Sequence, residues 1–282
     1  MCITKLLRWF KRRRHIEPVD ENGIIVEENS NNDNNIIHSD NDSDNEHVDE
    51  TVVGTNYDSN GETVDDINLG QSVGGMVVLV DNGHGNNTKG KRSPYSGYGV
   101  KPEIEFFEYL WNRQIARQIV ERLEEKGYNA QLLVTEEYDV SLSERVKRVN
   151  SLCSKVGTKN VILISVHANA AGSGKEWKTA RGWSAFTSKG NTKSDVIAEY
   201  LYAEAEKNFK GMKIRKDMSD GDKDWEENFT MTYNTYCPAV LTENFFYDNV
   251  DDVKYILSNE GREMVIKTHV DGIINYIDST RK

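Results

Sequence analysis

Three of the six histidines in this 282-residue chain lie beyond residue 75: His84, His167 and His269. His84 follows an apolar run at 77–81, and His167 follows the most apolar run in the chain, 161–166. Glu243 stands at the end of a third such run, 239–242. Each residue alone has a plain explanation as a loop side chain or a cap. Together they place two imidazoles and a carboxylate at successive strand ends. Imidazole nitrogen and carboxylate oxygen suit zinc, and a catalytic zinc takes three protein ligands while keeping one position open for water. One further carboxylate is needed, so that one acts as ligand and the other as general base. The residues alone leave open which is which.

Such donors converge only if the strands that carry them end level. Strands are expected at 77–81, 129–135, 161–166, 182–187 and 239–242. Between them, Ile115, Ile119 and Leu123 mark a helix over 108–126 that stops at Gly127. A second helix runs to Cys153, capped by Ser141 or Ser143, and others cover 195–209, 250–257 and 262–277. Strands alternating with helices give an α/β fold: a single three-layer domain with a central, largely parallel sheet flanked by helices. In open sheets of this kind the loops past the strand carboxyl ends form the ligand crevice. His84, His167 and Glu243 belong to that edge, whereas His269 lies on the last helix as a structural or surface histidine.

The residues around these positions resemble one family. Val77-Val-Leu-Val-Asp81-Asn-Gly-His84-Gly is similar to the first strand of the zinc N-acetylmuramoyl-L-alanine amidases of the Amidase_3 type, whose pattern is an apolar strand followed by Asp-x-Gly-His-Gly. Ser165-Val-His167-Ala-Asn169-Ala resembles that family's second histidine motif, and Pro238-Ala-Val-Leu-Thr-Glu243-Asn-Phe-Phe-Tyr-Asp-Asn249 its final strand. Order and spacing agree over 76–277. The resemblance implies hydrolysis of the amide between N-acetylmuramic acid and L-alanine in peptidoglycan. It also implies one zinc per chain, held by His84, His167 and a glutamate that opens the first helix four residues before an Asn. Glu108, four before Asn112, fits that pattern, with Glu103 and Glu105 as rivals. Glu243 is then the general base rather than a ligand. The chain departs from the family at Asn82, where Pro is usual, and at Phe245, where Gly-Phe is usual. Candidate substrate contacts are Asn112, Asn169, and Trp225 and Tyr233 from an aromatic-bearing polar segment at 215–237. That segment suits either a glycan groove or a loop pinned by its own aromatics. A catalytically inactive peptidoglycan-binding module on the same fold is the competing reading, and the retained Glu243 argues against it.

The rest of the chain has a different texture. Residues 1–14 carry six basic side chains, and the stretch at 15–75 carries 16 carboxylates and no Lys or Arg. Of the total charge of −11, therefore, residues 76–282 hold only about −1. The acidic stretch cannot bury enough apolar surface to offset its ordering entropy, so it reads as a disordered tail preceding the 76–282 catalytic domain. The head reads either as a basic amphipathic segment capable of touching an anionic membrane or as a basic disordered terminus countered by the acidic stretch after it, and the balance of charge favours the second. The opposed charges that follow it argue against nucleic-acid binding. The opening residues do not form a standard secretory signal, and Cys2, Cys153 and Cys237 show no pairing pattern. A phage or prophage lysis enzyme, made in the cytoplasm and released to the cell wall by a holin-like membrane protein, fits these features, and a host amidase exported by an unusual route or acting during lysis of a mother cell is the alternative. Deleting 1–70 is expected to leave solubility, the thermal transition and wall hydrolysis largely intact; a truncated protein without a thermal transition contradicts the linker reading.

Overall fold

The computed structural model describes residues 75–94 and 99–281, which belong to a unit spanning Leu69–Lys282. The basic head at 1–14 and, Gly75 apart, the acidic stretch at 15–75 lie outside the described residues. Strand β1 (Val77–Asn82) is a β-branched run buried on both faces. Helix α1 (Glu108–Glu125) buries Trp111, Ile115, Ile119 and Leu123 along one stripe. After β2 (Asn129–Leu132) comes α2 (Leu142–Val156), whose cap is Ser141: its hydroxyl accepts from the Glu144 amide at 3.3 Å. Strands β3 (Val161–Asn169) and β4 (Ser184–Thr187) precede α3 (Lys193–Asn208), which opens on a capping box of Thr192 and Asp195. A two-residue strand β5 (Trp225–Glu226) and a single turn α4 (Thr230–Tyr233) lead to β6 (Ala239–Phe246). Helices α5 (Val250–Leu257) and α6 (Asn259–Ser279) complete the chain.

The six strands lie in the order β2-β1-β3-β6-β4-β5. The first four are parallel; β4 runs antiparallel to β6, and β5 parallel to β4. Alternate residues face opposite layers, as the pleat requires. Val78, Val80, Ile162, Ile164, Val166 and Val240 enter one apolar cluster with α1, α3, α5 and α6. The intervening Val77, Leu79, Leu163 and Leu241 are buried towards the other face, where α2 and α4 pack. The expected three-layer α/β architecture with a largely parallel sheet is present.

Two strands run further than their apolar cores. β3 continues through His167 to Asn169 and β6 through Glu243 to Phe246, so both residues sit inside strands rather than just past them. A polarity pattern stops at the first polar side chain, whereas the backbone ladder is indifferent to it. Register does the positioning: Asn82 pairs with Val166, and His167 with Glu243.

One buried ion pair ties the end of β1 to the flanking layer. Arg145 of α2, 2% exposed, donates to Asp81 Oδ1 at 2.5 Å and to the Asn82 carbonyl at 2.9 Å. Its remaining N–H groups reach the carbonyls of Val140 and His84 and Asp139 Oδ1, so all five donors are used. Ser165 donates to the other Asp81 oxygen at 2.6 Å. Arg145→Met leaves that carboxylate buried without its counter-charge, an expected loss of about 3–5 kcal/mol in unfolding free energy. Urea denaturation checks it; an unchanged midpoint shows that the pair contributes no net stability.

Candidate metal centre and active site

Leaving β1, the chain makes a close turn at Gly83-His84-Gly85. The Gly83 amide donates to the Val166 carbonyl at 3.1 Å, and a Cβ on Gly83 would stand 2.1 Å from Cε1 of His167. A Cβ on Gly85 would stand 2.0 Å from the Asp139 amide nitrogen. Neither position has room for a side chain. Between them His84 adopts a φ of 67°, the left-handed region that a residue with a Cβ rarely enters. Hydrogen bonds hold it there: Arg113 donates to the His84 carbonyl at 2.8 Å, Arg145 to the same oxygen at 3.3 Å, and Asn112 to the Gly83 carbonyl at 3.2 Å.

Glu108, the first residue of α1, is 1% exposed. Its Oε1 accepts from the Ala168 amide and stands 3.2 Å from His167 Nδ1. Its Oε2 stands 3.4 Å from His84 Nε2 and has no hydrogen-bond partner among the described residues. One ligand atom each from His84, Glu108 and His167 falls within 4.8 Å of the others. The two rings lie edge to face, 5.0 Å apart. Burial raises the Glu108 pKa, but its contacts with His167 and His84 outweigh that and hold the carboxyl well below the usual carboxylate range. Burial disfavours the His167 cation, yet Glu108 reverses the sign and the net shift is upward. Two imidazoles and a charged, buried carboxylate with a spare oxygen are a donor set that a divalent metal fits.

Glu243 stands beside this trio through its pairing with His167. It is half-buried, and its Oε2 has no hydrogen-bond partner among the described residues. Burial pushes its carboxyl up to about 7; His167 opposes the rise, Glu108 adds to it, and Lys91 and Arg215 oppose it. Glu108, His167, Asn169, Glu243 and Tyr247 line a hollow of about 270 Å³ with Lys89 and Lys91. A second hollow of about 380 Å³ opens on the other side of the histidines, between His84 and Ser141.

The structure brings together His84, Glu108, His167, Glu243 and Asn169, whose Oδ1 accepts from the Ala170 amide at 2.8 Å. The rival glutamates stand apart: Glu103 is exposed and paired with Lys101, and Glu105 is exposed and paired with Arg92. Asn112 is fully buried beneath the loop it supports, so it faces no groove. Trp225 packs under the Arg215 guanidinium, 5.2 Å from ring to charge, and beside Phe186. Tyr233 lies at the opposite end of the sheet, with Met76 and Pro238. His269 is buried and structural: Thr242 Oγ1 lies 2.9 Å from its Nε2, the Val265 carbonyl lies 2.8 Å from its Nδ1, and burial lowers its pKa to about 4. Phe245 occupies a bulge in β6, where β3 advances two residues against three, and takes a φ of 68°. The sequence reading missed Lys91, Arg215 and Tyr247. The basic loop at 89–92, so soon after the first motif, was the available signal.

Gly83→Ala is expected to displace His167 and so to lower metal occupancy and hydrolysis together. Elemental analysis and wall clearance check this; full occupancy in the variant shows that the close approach is not limiting.

Residues 78–275 match the family described as N-acetylmuramoyl-L-alanine amidase, Amidase_3. An endolysin of Bacillus phage SPP1 is 28% identical over 213 residues, which is 73% of this chain and 68% of that protein. Among solved structures, an N-acetylmuramoyl-L-alanine amidase from Clostridium difficile 630 is 24% identical, covering 73% of this chain and 99% of that one, with a TM-score of 0.60. AmiC2 of Nostoc punctiforme, another such amidase, is 20% identical over 73% of this chain and 98% of that one, with a TM-score of 0.57. Because the family match spans most of its length, the chain belongs to the N-acetylmuramoyl-L-alanine amidases, enzymes that hydrolyse the amide between N-acetylmuramic acid and L-alanine in peptidoglycan.

Proposed function

We propose that His84, Glu108 and His167 hold one zinc ion and that Glu243 is the general acid–base of the amide hydrolysis. The observation that carries this is a buried carboxylate set between two imidazoles, with a second carboxylate adjacent that belongs to neither contact. When bound, zinc supplies the Lewis acidity that lowers the pKa of water and polarises a carbonyl. Glu243, poised near neutrality, takes the proton of the attacking water and returns it to the L-alanine nitrogen as the C–N bond breaks. Lys91 and Arg215 bring positive charge to this carboxylate and favour its ionised form at the start of the cycle. Asn169 lies on the wall of the same hollow, within reach of a bound glycopeptide.

The biological setting follows from the same reading. Similarity to a phage endolysin supports a lysis enzyme acting on the cell wall. A holin-like membrane protein would release it, and the basic head at 1–14 would supply membrane contact. Among the described residues no helix is long and apolar enough to cross a membrane.

Glu243→Gln keeps the size of the side chain and should retain zinc, while release of L-alanine amino groups from muropeptides falls by about 10²–10⁴-fold. No new reducing ends should appear, since the glycan is not cut. Glu108→Ala should lose both metal and activity, and Glu105→Ala should keep both. A Glu243→Gln protein with the parent rate places the base elsewhere; one lacking zinc makes Glu243 a ligand.

A further inference from the structure

A hollow of about 900 Å³ lies at the amino-terminal end of the parallel strands, where Met76 and Pro238 mark the entries to β1 and β6. Nothing in the amide hydrolysis uses it. Along β3 it is separated from the metal centre by the run from Val161 to His167, about 20 Å at ~3.3 Å per residue.

Its composition is selective. No Asp or Glu lines it, although residues 76–282 carry 30 carboxylates. Three cations do: Lys159, Lys193 and Arg281. Arg281 is paired with Asp278, but Lys159 and Lys193 are exposed and have no ion pair among the described residues. Tyr233 and Tyr236, 62% and 64% exposed, are the most exposed aromatic residues described, and both open on this hollow. Seven serine and threonine residues also line it, five of them with hydroxyls already bonded within the domain. Exposed tyrosine faces pack on the apolar faces of sugar rings while their hydroxyls stay wet. Unpaired lysines among them select a sugar polymer that bears anions.

We propose that this hollow is a second glycan site that binds the product strand, the polysaccharide from which peptides have been removed. The inference rests on the amidase reaction. Hydrolysis adds water across the amide: the lactyl carbonyl carbon gains the oxygen and becomes a carboxylate, and the L-alanine nitrogen gains the proton and leaves as an amine. Each cut therefore fixes one negative charge on the glycan and removes the bulky peptide that would obstruct stacking. A wall presents many strands at once, so a hold on cut strands at one end of the domain raises the local concentration of uncut ones at the other.

The test uses the full chain carrying Glu243→Gln, which leaves its ligand unaltered during the measurement. The ligand is glycan strands stripped of peptide by the wild-type enzyme, from walls first freed of phosphate polymers by acid. Tyr233→Ala with Tyr236→Ala, and separately Lys159→Glu with Lys193→Glu, should weaken binding about tenfold or more, with the parent's thermal transition retained. The parent should bind stripped strands more tightly than intact peptidoglycan. In the wild-type background the same substitutions should leave kcat/KM on a short soluble muropeptide unchanged and slow clearance of whole walls. Variants that bind stripped strands like the parent overturn the proposal, as does a parent that binds only phosphate-bearing walls. A wild-type protein that fails to cut the muropeptide refutes the amidase reading instead, and strands stripped by another amidase then still test the hollow.

Discussion

A carboxylate buried between two imidazoles sets the terms for the rest of this domain. Taking the Glu108 charge out of water is strongly unfavourable unless donors or cations compensate it. The Ala168 amide supplies one donor, the histidines supply charge when protonated, and one oxygen remains without a hydrogen bond. That arrangement persists only if three segments distant in sequence are fixed relative to each other. The loop before α1 is fixed by a short bridge between Arg92 and Phe107, with the Glu108 amide donating to the Lys91 carbonyl and Ser93 bonded to both Ile104 and Phe106. The start of α1 is therefore set by the chain that precedes it as much as by the helix itself.

The antiparallel side of the sheet contributes bracing rather than ligands. Trp183 donates to Asn244 Oδ1 at 2.9 Å, and Asn244 in turn donates to the His167 carbonyl, so the residue just before β4 steadies the second histidine through β6. Two buried carboxylates, Asp248 in the turn after β6 and Asp252 in α5, extend the same logic to the loops. Asp248 accepts from the amides of Ala171 and Gly172, just past Asn169. Asp252 accepts from Gly182 and Phe246. Burial raises the pKa of both, the expected sign for a carboxyl held out of water, and the backbone donors offset part of that rise.

What the sequence disclosed and what it hid divide along physical lines. Apolar runs ending in His84, His167 and Glu243 were legible because burial on both faces writes itself as hydrophobicity. Their extensions through Asn169 and Phe246 were not, since ladder hydrogen bonds carry no side-chain signature. Glu108 was separable from Glu105 only by its spacing to Asn112, which the family resemblance implies, because element boundaries are the least determined feature of a periodic pattern. Asn112 was visible as a polar residue near the site. That it faces inward, under Gly83, depends on the layer packed against α1. Tyr233 was visible as an aromatic in a polar segment, but which end of the sheet it reaches is decided by β5 and α4, two elements too short to leave a period.

Phe245 shows how a departure from a family pattern is accommodated. The bulge in β6 needs a residue with positive φ, a conformation glycine enters freely and phenylalanine does not. Here the strain is offset by packing: the ring is fully buried, with Phe209 5.0 Å and Tyr255 5.2 Å away. A glycine would relax the backbone but leave a cavity among those aromatics. The bulge itself is what brings Asn169 opposite Phe246 while His167 stays opposite Glu243. A phenylalanine at this position thus preserves the register on which the metal centre depends, by replacing conformational freedom with buried surface.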